Sequence, residues 1–362
     1  MKVTVVNARD LSAAQEARWN ELQQADSSLA SPYLCPEFTK AVAFVRDDVY
    51  IAIMMQGGDT VGFFPFQRER FGIGKPVGGR LSDFQGAVVA RGAEWSPDDL
   101  IRGCGLNTWD FHHLIAAQGP FRPYHQVVSS SPFIDLSHGY EVYREEQRRR
   151  GSRRIGKLMG LSRKLEREIG PLRFEARTDD ETVLAKVIAW KSAQCRRTGV
   201  YDFFGVNWTV SLIRRIHQTR TLNFSGCLSA LYAGNQLVAA HMGMRSHLIW
   251  HYWFPAYDRA FSRYSPGSLL LMKLVEHCAT QGIEAIDLGK GEDAYKSSFM
   301  SGSVEVAEGS VTLPSILAVL RRVGRLAADF LRDSPLARPI SVPMRRLGKA
   351  HRKISTPRLR KQ

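Results

Sequence analysis

Apolar and polar residues alternate along this chain with two periods, and the order in which those periods recur describes one unit written twice. In the first unit, helical spacing in "LSAAQEARWNELQQAD" predicts a helix and "SPYLCPEFTKAVAFV" a second. "VYIAIMMQGGDTVGFFPFQ" then reads as a strand, a Gly-Gly-Asp turn and a partner strand. The second unit opens with "ETVLAKVIAWKSAQCRRTG", a helix that Gly199 ends, followed by the helical "NWTVSLIRRIHQT". "GCLSALYAGNQLVAAHMGMRS" is again strand, Gly-Asn turn, strand.

The match continues, with "SPDDLIRGCGLNTWDFHHLIA" against "SPGSLLLMKLVEHCATQGIEAIDLGKG", the first copy carrying the shorter helix. Trp19 and Trp190 stand 171 residues apart, Gly58 and Gly234 176, Pro97 and Pro266 169, and Asp110 and Asp287 177. Self-similarity at so steady an offset predicts repeated architecture. The expected fold class is α/β, with α+β mixing: two tandem domains over residues 1–139 and 140–312, each a mixed sheet flanked by helices. A basic helix from about Tyr140 to Arg167 is expected to link them.

A third segment, 313–362, reads differently. "LPSILAVLRRVGRLAADFLRD" predicts an amphipathic helix with Arg on its polar side, and a disordered stretch rich in Pro and Arg follows. Of the formal +15, this segment holds 13 Lys and Arg against two Asp, a net +11, leaving +4 for the body. The high charge therefore describes the tail and not the substrate of the domains. Three uses compete for it: contact with an anionic membrane surface, non-specific binding of nucleic acid, and plain solubility. No specific nucleic-acid motif accompanies it.

The opening "MKVTVVNARD" lacks a secretion-signal pattern, and no apolar run approaches the roughly 20 residues that cross a bilayer. Cys35, Cys104, Cys195, Cys227 and Cys278 are scattered and never paired as C-x-x-C, as expected of reduced thiols in a cytoplasmic protein without a structural zinc. No metal-ligand constellation and no G-x-S-x-G nucleophile motif are present.

The chemistry gathers in the second unit. In "RYSPGSLLLMKL", Ser265 is a good N-cap and Pro266 suits the first helical position. A bare helix start accounts for both. Gly267, a poor helix former, makes further sense where a ligand approaches the backbone. The free N–H groups of that turn then form an anion site with Ser265, Gly267 and Ser268, to which Arg263 adds a charge. The matching turn of the first copy, Ser96-Pro97-Asp98-Asp99, carries two carboxylates that suit the dipole and repel a phosphate.

"FPAYDRAFSRYSPGSLLLMKLVEHCATQGIEAIDLGKGEDAYKSSF" resembles the acetyltransferase-like domain of the CelD/BcsL group, within the Gcn5-related N-acetyltransferase (GNAT) superfamily. Members of that group are similar in shape to the peptidoglycan Fem aminoacyl transferases. The resemblance is clear over about residues 145 to 300. "SPYLCPEF", "GFFPF" and "GGRLSDFQGAVV" extend it more loosely into the first half. It implies tandem GNAT domains, acyl-CoA (acetyl-CoA) as co-substrate and a sugar or lipid-linked acceptor in polysaccharide assembly. The usual pyrophosphate loop has a second glycine where this chain has Ser268, so aminoacyl transfer stays open, as does a non-catalytic scaffold.

Acyl transfer needs a base, a stabiliser for the oxyanion and a fate for the leaving group. His241, in "LVAAHMGM", is either a buried core histidine or that base. Asp287, in "AIDLGKG", either orients a base or holds substrate. Tyr295 and Lys296 resemble the family's aromatic–Lys pair. Asp258 braces its turn or meets the acceptor. From the first half, Asp83, His112 and His113 are candidates to face the acceptor, the two histidines being expected on opposite faces of a strand.

Overall fold

The computed structural model describes residues 1–291 and 293–314. The first copy runs β1 (Lys2–Asn7), α1 (Ala13–Gln24), α2 (Pro36–Val45), β2 (Val49–Gln56), β3 (Asp59–Glu69), β4 (Ile73–Lys75), β5 (Val88–Val89), α3 (Pro97–Gly103), β6 (Thr108–Ile115) and β7 (His125–Asp135). Two linking helices follow, α4 (Gly139–Arg149) and α5 (Arg154–Glu168). The second copy runs β8 (Leu172–Glu175), α6 (Glu181–Thr198), α7 (Asn207–Gln218), β9 (Ser225–Ala233), β10 (Gln236–Arg245), β11 (Ile249–Tyr257), α8 (Pro266–Ala279), β12 (Ala285–Asp287), α9 (Ala294–Phe299) and β13 (Gly302–Thr312).

Local chemistry sets these boundaries. Ser12 and Gln15 form a reciprocal capping box at the start of α1. Gly199, left-handed at φ 70°, ends α6 as expected. Two expectations need correcting. Pro36 holds Cys35 extended (φ −72°, ψ 142°), so the second helix splits into a 3-10 turn at Pro32–Leu34 and α2. The link is two helices, because Gly151 takes φ 76° between them.

One sheet runs through both copies in the order β1-β2-β3-β4-β6-β13-β7-β12-β11-β10-β9-β8, with β5 beside β3. That order is a palindrome of the repeat with one exchange. β13, the last strand of the second copy, pairs antiparallel with β6 of the first. β7, the last strand of the first copy, pairs with β12 of the second. β7 and β13 pair with each other at the centre. Neither half therefore completes its sheet from its own stretch of chain.

The core follows the same logic. Helices α1 and α2 of the first copy and α6 and α7 of the second cover one continuous apolar cluster, in which Leu34, Phe38, Phe63, Leu212, Phe224 and Phe254 take part. α2 packs on α7. Trp19, fully buried, stacks on Phe63 at 5.0 Å and donates its ring N–H to the carbonyl of Leu34 at 2.8 Å. Such a ring pair adds about 0.5–1.5 kcal/mol beyond area burial. A second cluster beneath α8, with Trp250, Tyr252, Leu270 and Ile286, lines the other face of the second half. All five cysteines are free and buried. Among the described residues no helix is long and apolar enough to cross a membrane. The helix and tail expected beyond Leu313 and Pro314 fall outside the described residues.

The exchange makes a direct prediction. A cut at Gly151 leaves β7 in one fragment and β13 in the other. Expressed separately, fragments 1–151 and 152–362 are expected to lack cooperative thermal transitions. Co-expressed, they are expected to co-purify as one folded complex. A single fragment with a sharp transition of its own would contradict the interlocked sheet.

Candidate active site

β11 and β12 pair in parallel over three residues only, with His251 opposite Asp287 at the last step. β12 ends there, while β11 continues to Tyr257. Among the described residues no strand lies on that edge of β11 beyond His251. The sheet thus opens into a fork whose apex is the His251–Asp287 pair, and the N-terminus of α8 follows shortly after β11 ends.

At the apex, His251 is fully buried between two carboxylates. Its Nδ1 lies 2.5 Å from Asp287 Oδ2, and its Nε2 lies 3.2 Å from Asp83 Oδ2, an ion pair rather than an aligned hydrogen bond. The second carboxylate comes from the other copy. Burial alone would strip the imidazole of its proton, but the charge and hydrogen bond of Asp287, with the opposed Asp83 carboxylate, outweigh it and raise the ring to about 9. His251 is a cation at neutral pH. Burial likewise pushes the Asp83 carboxyl up, yet His251, with the charges of His113 and Lys296, holds it below the ordinary carboxylate range. Asp83 keeps a quarter of its side chain open to solvent, against 8% for Asp287. It is the most exposed group of the three.

The surroundings fix this arrangement. Asp287 Oδ1 accepts from the Gly289 N–H at 3.0 Å and from the Ser131 hydroxyl at 3.3 Å. Tyr33 sets its ring edge-on to His251 at 4.9 Å. Gly289 takes φ 71°, and a Cβ there would stand 3.0 Å from Asp83 Oδ2, so the loop closes over the carboxylate only as glycine.

The other predicted residues fall into distinct places. Lys296 is buried, and its ammonium donates to the carbonyls of Gly289 and Lys290 at 3.0 Å each and pairs with Asp293 at 3.6 Å. It ties down the loop after β12. Tyr295 packs on the cluster beneath α8, where burial raises its hydroxyl. Asp258 caps the 3-10 turn Arg259–Tyr264 by accepting from the Ala260 N–H at 2.9 Å. His241 is fully buried, stacked on Tyr252 at 4.2 Å, with neither ring nitrogen in a side-chain hydrogen bond. Burial, with the charge of His251, holds it well below the ordinary imidazole range. It sits among the α8-side residues, whereas His251 packs on Tyr33 in the other layer. His112 and His113 meet edge to face at 4.8 Å instead of diverging, and Gln85 Oε1 accepts from both backbone N–H groups. Burial brings His112 down to about 4 and lowers His113 as well.

At the head of α8, Ser265 is left-handed (φ 54°, ψ 51°) and caps with its carbonyl, which accepts from the N–H groups of Ser268 and Leu269. Its side chain makes no cap bond, contrary to the expected serine cap, because the tight turn from Tyr264 imposes that conformation. Arg263 stacks over Tyr264 and pairs with Glu168 at 3.2 Å. The cation brought to this turn is instead Arg154 of α5, which donates to the Ser268 hydroxyl at 2.7 Å and leaves its Nε without a partner. In the first copy the Tyr124 hydroxyl donates to Asp98 at 2.9 Å, and Arg102 pairs with Asp99. Sequence reasoning passed over His251 and Arg154. "IWHYWF" carries one polar residue in an apolar strand, which was the available signal for the first, whereas the second emerges only when α5 docks on α8.

Residues 151–297, which take in α5 and most of the second copy, match the family model of the acetyltransferase (GNAT) domain. FemX superposes with a TM-score of 0.55 at 9% identity, over 88% of this chain and 99% of that one. The C-terminal domain (DUF2156) of a protein assigned as a lysylphosphatidylglycerol synthetase from Agrobacterium fabrum gives 0.52 at 14%, over 88% and 98%. A tandem GNAT protein from the clavulanic acid biosynthesis pathway gives 0.48 at 11%, over 87% and 99%. No curated protein matches the chain in sequence.

Stability should report the buried cation. An unfolded imidazole titrates near 6.5, while the folded His251 titrates at about 9. The fold binds the extra proton between these values. This contribution is complete below about 6.5 and is lost as pH rises through 9, at no more than about 1.4 kcal/mol per pH unit. Urea unfolding of the wild type should weaken across that window, and His251→Gln should flatten the slope. Equal slopes in the two proteins would contradict the cationic assignment.

Proposed function

We propose that the protein is an acyltransferase that moves an acyl group from acyl-CoA to an amine or hydroxyl of a sugar in a cell-surface polysaccharide precursor. The observation that carries this reading is the fork: an open strand edge leads from the head of α8 to an ionised, solvent-reachable carboxylate. Gly267 and Ser268, with the Arg154 guanidinium, would hold a pyrophosphate at the helix N-terminus. The unpaired edge of β11 offers backbone N–H and C=O groups to an extended, amide-bearing arm. The thioester supplies an activated carbonyl carbon and a leaving thiolate.

Asp83 takes the proton from the acceptor's amine or hydroxyl as it attacks the carbonyl carbon. The C–S bond breaks, and the proton ends on the departing sulfur. His251 acts through Asp83, as a fixed cation that keeps the carboxylate ionised and aimed. On this reading His241 is a packing residue, and Lys296 positions the loop that covers the site. The basic tail brings the enzyme to the anionic inner leaflet, at about 1 kcal/mol per basic residue near the surface, where a lipid-linked acceptor is found.

The donor site is tested by calorimetry with acetyl-CoA. Gly267→Asp should abolish binding, Arg154→Ala should weaken it, and Asp98→Gly in the first copy should leave it unchanged. Normal binding by Gly267→Asp sinks the anion-site assignment. A wild type that ignores CoA turns the reading toward aminoacyl transfer or a scaffold. For the chemistry, Asp83→Asn should lower turnover by roughly 10²–10⁴-fold, the usual share of general acid–base catalysis. CoA affinity should not change. Full activity in that variant would remove Asp83 from the mechanism.

A further inference from the structure

Asp83 is carried by a strap that fills the first copy's own fork. β4 and β6 pair in parallel at Ile73 and Gly74, as β11 and β12 do in the second copy. β4 then ends at Lys75, and residues 82–89 take its place. They pair with β3 through β5 and bridge in parallel to Leu114 of β6 through Gln85. From this strap the Asp83 carboxylate reaches the second copy, 3.2 Å from His251 Nε2.

Gln85 bolts the strap to β6. Its side chain is buried, and both ends of its amide are used. Oε1 accepts from the N–H groups of His112 at 3.0 Å and His113 at 3.1 Å. Those two residues stand against the single Glu308 where the ladder between β6 and β13 slips. With Oε1 fixed by two backbone donors, Nε2 faces the other way. It donates to the Ser82 carbonyl at 3.1 Å and to the His112 ring at 3.0 Å. The main chain adds two bonds: the Gln85 N–H donates to the His113 carbonyl at 2.9 Å, and the Gln85 carbonyl accepts from Ile115 at 3.0 Å. Ser82, also buried, donates its hydroxyl to the Phe84 carbonyl at 2.9 Å. The Gln85–Ser82 and Ser82–Phe84 bonds both span Asp83. Gln118 holds the same strap differently, by a reciprocal pair of bonds with the backbone of Ala87 at 2.8 and 3.1 Å, beyond both neighbours of Asp83.

Resting on the reading of Asp83 as the base, we infer that Gln85 is a positioning residue, which fixes the direction in which Asp83 meets His251 and the acceptor. Nitrogen NMR of the His251 ring in the full-length protein reads that contact. It needs neither donor nor acceptor, so its outcome stands apart from the acyltransferase reading. Gln85→Met keeps the volume and loses every amide bond. Its His251 midpoint should fall below the wild-type value by about one pH unit, the lower end of what an opposite charge at this range contributes. Gln118→Met should lower the melting temperature and leave the midpoint where it is. Should Gln85→Met not fold, Ser82→Ala, which removes only the bond to Phe84, decides, with a smaller fall in the same direction. A wild-type midpoint in the deciding variant overturns the inference, whatever its melting temperature. So does an equal fall in Gln118→Met, which would mean that any loosening of the strap moves Asp83.

Discussion

A protonated imidazole sealed between two carboxylates is the interaction on which the rest of this structure turns. His251 has no solvent exposure, so its charge survives only because Asp287 and Asp83 stand on either side of it. Asp287 belongs to the second copy of the repeat and Asp83 to the first. The cation therefore requires both copies, in register, at the place where the sheet divides. Loss of either carboxylate leaves an uncompensated charge in the core, and loss of the imidazole leaves two carboxylates facing each other.

The strand exchange supplies the rigidity this demands. β7 and β13 each complete the other half's sheet, so the two copies cannot shift along one another without breaking ladders on both sides. The shared core of α1, α2, α6 and α7 adds an apolar seal on one face. The two copies differ at the head of the helix that precedes their last strands. The first has a short helix whose opening turn holds its own carboxylates, one of them bound by Tyr124. The second has a long helix whose opening turn carries Gly267 and an arginine from the linker.

Much of this was legible in the sequence, because periodicity and turn chemistry are local. The paired offsets of Trp19 and Trp190, and of Asp110 and Asp287, located the repeat, and Gly199 ended its helix as expected. Asp83 and Asp287 were both singled out, the first from a loose "RLSDFQG" match and the second as a charge in an apolar strand. The residue between them was missed: His251 sits among aromatics that read as core, and its partner is 168 positions away in sequence. His241 drew attention for the same reason that His251 should have, as one polar residue in an apolar strand. Only the alternation of faces, set by a register that the sequence does not print, separates the two. The exchange of β7 and β13 is likewise a long-range choice between equivalent edges.

The ring nitrogens of His251 give the most direct test. In a pH titration followed by nitrogen NMR, with the signal assigned through His251→Gln, both nitrogens should remain protonated through neutral pH and titrate near 9. In Asp287→Asn the midpoint should fall toward the ordinary value of about 6.5 or lower. A wild-type midpoint at or below 6.5 would mean that no cation joins the two halves at the fork, and the account of the site built on it would fail.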